Sequence, residues 1–135
     1  MVDRGEREQM ERQHIFVVNG SPVFLDLVRE LLQGEDYNVT TTNFVPETYD
    51  QIAALQPSVL IVDLEVGKRA GWDLLERLQA EASTNDIPTV MVVTDPQLME
   101  RAQAHKTRFG IKHVLTMPFD TDELVNAIED LVGAA

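Results

Sequence analysis

The chain has 135 residues, no cysteine, and 23 Asp and Glu against 11 Lys and Arg, for a formal net charge of −12. That length fits one domain with its own buried core, and the lack of cysteine excludes disulfide scaffolds, thiolate metal centres and thiol catalysis. The negative field opposes non-specific binding to nucleic acid or anionic lipid, so the expected class is a cytoplasmic protein with neither as a partner.

Residues 1–13, MVDRGEREQMERQ, are charged and lack the apolar stretch of a secretory signal. They read as a disordered arm, with a helical pairing extension as the alternative, and residues 14–135 read as a single domain. Ile15-Phe16-Val17-Val18 is a continuous apolar run of the kind that fills a strand buried on both faces. Ser21-Pro22 follows as an N-cap and first helical residue. Phe24, Leu27, Val28, Leu31 and Leu32 then recur at helical spacing, and Gly34 closes the segment. Val39 to Thr42 is β-branched and more polar, as in an edge strand. Pro46 to Leu55 is a weaker helix, ended by Pro57.

Val59 to Val62 predicts a second buried strand, finishing at Asp63. A loop through Gly67 and Gly71 leads to a helix with Trp72, Leu75 and Leu78 on one face, and Trp72 is expected to pack on the sheet. Thr89 to Val93 is the third buried strand and ends at Thr94. A fourth helix runs from about Pro96 to Phe109 and stops at Gly110, a suitable C′ residue. Val114 to Thr116 is the last strand. Asp120 or Thr121 caps a final helix carrying Leu124, Ile128, Leu131 and Val132. No apolar run approaches the ~20 residues of a membrane span.

This alternation predicts an α/β fold: a three-layer, doubly wound, five-stranded parallel sheet. In such sheets a site forms beyond the carboxyl ends of the strands. The chain places Asn19-Gly20-Ser21, Asp63 to Glu65, Thr94-Asp95 and Met117-Pro118 there. The NGSP loop is neither a Walker A loop nor GxGxxG, and it lacks the hydroxyl run that would cradle a flavin phosphate, which argues against a small-molecule binder of the flavodoxin type. Ser21 has no flanking glycines of a nucleophile elbow and reads as a helix cap. His14, His105 and His113 show no metal-ligand spacing. Asp63 stands out, because a carboxylate directly after VLIV is costly unless something pairs or uses it.

From about His14 to Val132 the pattern resembles the receiver domain of bacterial response regulators, with its flavodoxin-like topology. The pieces that carry the resemblance are VLIVDLEVGKRAGWDLL, VMVVT and VLTMPFDTDELVNAI. It implies that Asp63 stands at the phosphoacceptor position, Gly71 at the loop glycine and Thr94 at the phosphoryl-contact position. Family members hold Mg²⁺ with an acidic pair after the first strand plus the acceptor, and contact the phosphoryl group with a lysine after the fifth. The same resemblance puts Asn19 and Gly20 at the acidic pair, Met117 at the lysine and Val114 at the aromatic switch.

The implied machinery is therefore half missing, and a degenerate receiver is expected. No cofactor is expected, with Mg²⁺ required only where phosphorylation is retained. Asp63 and Glu65 are the remaining weak candidates for a metal ligand. Asp63 is either a loop cap or a slow phosphoacceptor. The resemblance also raises a cis Met117–Pro118 bond, which sequence leaves open.

If the switch is lost, surface contact carries the function, with a sensor kinase or a downstream protein as partner. Arg101, His105 and Arg108 recur at i, i+4 and i+7 on the fourth helix, while the final helix carries Asp122, Glu123 and Glu129. In the family these helices flank the fifth strand and form the usual output face. Reciprocal pairing into a homodimer and plain solvation of both faces stand as alternatives.

Overall fold

Five short strands lie parallel in one sheet, in the order β2–β1–β3–β4–β5, in a computed structural model that describes residues 13–43, 47–64 and 69–132. In chain order the elements are β1 (His14–Val18), α1 (Pro22–Gly34), β2 (Asn38–Thr42), α2 (Thr48–Leu55), β3 (Val59–Leu64), α3 (Ala70–Ala80), β4 (Thr89–Val93), α4 (Pro96–Ala104), α5 (Lys106–Phe109), β5 (Ile111–Thr116) and α6 (Thr121–Val132). The expected architecture is the observed one. The first twelve residues of the charged arm lie outside the described residues.

Side chains alternate across each strand and divide the core in two. Phe16, Val18, Leu60, Val62, Met91 and Val93 face a cluster completed by α2, α3, α4 and α5. Ile15, Val17, Val59, Ile61, Val90 and Val92 face one completed by Val28 and Leu32 of α1 and Leu124 and Ile128 of α6. Burial on both faces is why these strands read as unbroken apolar runs rather than alternating ones. Each such side chain, taken fully from water, contributes about 1.5–3 kcal/mol. β2, an edge strand as expected, buries none of its five residues fully.

Helix ends follow local chemistry. The Ser21 hydroxyl accepts from the Phe24 amide at 3.3 Å, with Pro22 next in the first turn. Gly34 is the last helical residue of α1, as expected, but it is not the left-handed cap. The left-handed residue is Asp36 (φ 67°), and the Tyr37 and Asp36 amides donate to the Leu32 and Gln33 carbonyls, each at 3.1 Å. That pair of bonds is the Schellman arrangement. Gly71 is buried inside α3, which begins one residue earlier, so it is helical and not a loop residue. The buried Thr84 hydroxyl donates to the Leu78 carbonyl at 2.7 Å and closes the other end of α3.

The fourth helix is shorter than its periodicity suggests. It breaks at His105 (φ −110°), and α5 restarts for one turn before Gly110 (φ 66°) ends it. Glycine suits this position for its φ, whereas a Cβ there would meet only the movable end of the Gln79 side chain, 2.9 Å away. β5 begins at Ile111, three residues before the predicted strand.

Candidate functional site

Parallel pairing brings the C-terminal residues of the strands to one end of the sheet. The register Val18↔Val62 continues to set Asn19 beside Asp63, and Asp63 itself is paired with Val92 of β4. Both polar side chains are buried, Asn19 at 5% and Asp63 at 6% exposure. Gly20 and Thr94 are exposed. Glu65 and Gly67 lie outside the described residues.

Asn19 has a local task. Its side-chain carbonyl accepts from the Ser21 amide at 2.7 Å, and its own amide donates to the Thr42 carbonyl at 3.1 Å. The first bond shapes the turn into α1 as an Asx turn does. Gly20 offers no side-chain donor or acceptor. Asp95, after β4, is engaged as the cap of α4, its carboxylate accepting from the Gln97 amide at 2.7 Å and the Leu98 amide at 3.4 Å, and among the described residues no three His, Cys, Asp or Glu side chains are grouped as a metal site needs.

After β5 the Met117 amide donates to the Val93 carbonyl at 2.7 Å, extending the strand pairing by one residue. Its thioether packs against the α1–α6 cluster. There it lines an apolar cleft of about 240 Å³ with Phe24, Leu27, Pro118, Phe119 and Leu124. The rings of Phe24 and Phe119 meet edge to face at 6.4 Å. The Met117–Pro118 bond is cis. Val114 is half-buried against the other cluster, beneath α4.

The basic and the acidic sets singled out on the helices are not brought together. Arg101, His105 and Arg108 gather beside Trp72 of α3, on the sheet face opposite α6. Asp122 and Glu123 sit in the exposed first turn of α6, where the helix dipole favours acids. Glu129 lies toward Tyr37 and, after burial, is the next cause that holds that phenol above its ordinary value. Sequence reasoning missed two participants. His113 of β5 meets Asp130 of α6 at 2.9 Å, and Arg69 joins the basic cluster from just before α3. Neither shows in local spacing, since each partner lies at least seventeen residues away in sequence.

A family model described as the response regulator receiver domain matches residues 15–129. The chain is 27% identical over 118 residues to the DNA-binding dual master transcriptional regulator RpaA of Synechocystis, which covers 87% of this chain and 48% of that protein. It is 26% identical over 113 residues to the heme response regulator HssR of Staphylococcus saprophyticus, at 84% and 48% coverage. The chain spans about half the length of these curated relatives. Among solved structures, chemotaxis protein CheY4 of Vibrio cholerae aligns with TM-score 0.75 at 19% identity, over 89% of this chain and 98% of that one. A response regulator structure from Chloroflexus aurantiacus gives 0.78 at 21% identity, over 90% and 98%. At these identities the structures establish the fold alone.

Proposed function

The chain belongs to the response regulator receiver domain family of two-component signalling, and on that premise we propose that it works as a protein-interaction module without a phosphoryl switch at Asp63. The observation that carries this reading is Met117. At the position where the family resemblance calls for a lysine, an uncharged thioether lines an apolar cleft. Phosphoryl transfer to a carboxylate depends on positioned cations that neutralise the transferred group.

The donor set does not fit Mg²⁺ either. A hard divalent cation wants oxygen ligands, commonly one or two carboxylates with waters. Here Asn19 Oδ1 is engaged by the Ser21 amide at 2.7 Å, Gly20 has no side chain, and the Asp95 carboxylate is taken up in capping α4. The fold, by contrast, is complete, so its surfaces remain available to a sensor kinase or a downstream protein.

Asp63 favours a second reading, that of a slow phosphoacceptor, because a carboxylate at 6% exposure ends a central strand. Acetyl phosphate and beryllofluoride, each with Mg²⁺, separate the two by intact mass and by Mg²⁺ titration. The expected result is no adduct and no response to Mg²⁺. A stable adduct that disappears in Asp63→Asn establishes the second reading and removes the first.

A further inference from the structure

In a chain of net charge −12, one cleft gathers three arginines. Arg69, Arg101, His105 and Arg108 surround a pocket of about 170 Å³ between α3 and the α4–α5 pair, built on Trp72 and Phe109. Glu76 is the one carboxylate among the described residues of its lining, so three guanidiniums face a single acid.

The break at His105 builds this pocket. With the chain redirected there, Phe109 packs 5.7 Å from Trp72 and 5.9 Å from His105, ring to ring. Arg101 then lies over the indole at 5.0 Å and Arg108 over the Phe109 ring at 4.9 Å. Cation–π contact holds each guanidinium in place, which reduces the ordering cost of binding a ligand. Neither Arg101 nor Arg108 forms an ion pair among the described residues, and Arg69 has only an exposed 3.5 Å contact with Asp73.

We propose that this cleft binds a phosphate-sized dianion, the phosphoryl group of a small molecule. Guanidinium forks match phosphate oxygens bidentately, and three of them exceed what the two oxygens of a singly charged carboxylate can use. A phosphoryl group offers three terminal oxygens and nearly two charges. The indole face is already covered by Arg101, which leaves recognition to charge and hydrogen bonding. The cleft includes none of Asn19, Asp63, Thr94 or Met117, and the proposal does not depend on the reading of those residues.

Trp72 is the only tryptophan, so its fluorescence reports occupancy when the full chain is titrated with inorganic phosphate or pyrophosphate at constant ionic strength. A saturable change below about 10 mM is expected, unaltered in Arg29→Ala and weakened about tenfold or more in Arg101→Ala/Arg108→Ala. Arg101→Lys/Arg108→Lys keeps the charge without the fork and should weaken binding as well. A response that chloride reproduces, that never saturates, or that survives the double alanine change overturns the site. So does saturation by a glutamate-rich peptide where phosphate gives none, which would assign the cleft to an acidic protein partner. Should the alanine variant lose its far-UV signal, amide shifts of the unaltered chain decide: shifts confined to residues 69–76 and 101–109 support the site, and diffuse ones overturn it.

Discussion

The side-chain carbonyl of Asn19 accepts a hydrogen bond from the backbone amide of Ser21 at 2.7 Å. That contact ties the end of β1 to the cap of α1, so Asn19 holds a structural turn at the end of the first strand. Asn19→Ala is expected to cost about 1 kcal/mol by urea denaturation, because it removes the acceptor from a half-buried amide. Asn19→Ser keeps a neutral side-chain acceptor that can form the same kind of turn and should lose less than Asn19→Ala. Equal losses in both variants would deny the turn its role.

The proposed reading also predicts what installing acids and a lysine at these positions should do. Asn19→Asp/Gly20→Asp/Met117→Lys should gain a Mg²⁺-dependent beryllofluoride adduct that depends on Asp63. Met117 is only half-buried, so a lysine stem can follow the cleft wall with its ammonium in water, and folding should persist. A folded triple variant that still fails to take the adduct would count against the proposal that these three positions decide whether Asp63 accepts a phosphoryl group.

Asp36 occupies the left-handed position that ends α1, with φ 67°. An L residue pays roughly 1–2 kcal/mol there, whereas glycine gives up roughly 0.5–1 kcal/mol in unfolded-chain entropy. Asp36→Gly should therefore raise stability by about 0.5 kcal/mol. Gly34→Ala, in a helical position with open space around its would-be Cβ, should also stabilise, by about 0.5–1 kcal/mol. A destabilised Gly34→Ala chain would contradict the assignment of Gly34 to the last turn of the helix.

Burial holds the His14 imidazole below its ordinary value, and its Nε2 meets the Thr40 hydroxyl at 2.7 Å. As pH falls below about 6.5, the unfolded chain takes up a proton at His14 that the folded chain resists. Stability should then decline and level off once the folded imidazole is protonated too. Urea midpoints at several pH values should show a flatter acid limb in His14→Gln. An unchanged slope would place the acid sensitivity elsewhere.

The buried strands were legible because burial on both faces leaves runs such as IFVV and VLIV, and so was Asp63, a charge set directly against one of them. Ser21-Pro22 and Gly110 were legible because capping chemistry is local. The break at His105 was not, since nothing in PQLMERAQAHKTRF opposes a continuous helix. The docking of Phe109 on Trp72 is satisfied only once the chain turns there. The start of β5 was hidden for a related reason. Lys112 and His113 belong to an edge strand, and His113 is accommodated by Asp130, seventeen residues on. Arg69 joins Arg101 and Arg108 only through the packing of α3 on α4, a relation that spacing along one helix does not carry.

The strand order also sets a schedule for synthesis. β1 pairs with β2 and β3, so a three-stranded unit can close before β4 has been made. Until then VLIVDL presents an open, apolar strand edge, the kind that recruits other chains. Its partner ends at Val93, and at ~5–20 residues per second the interval from Leu64 lasts roughly 1.5 to 6 seconds. In that short window a strand destined for the middle of the sheet lies open on one side.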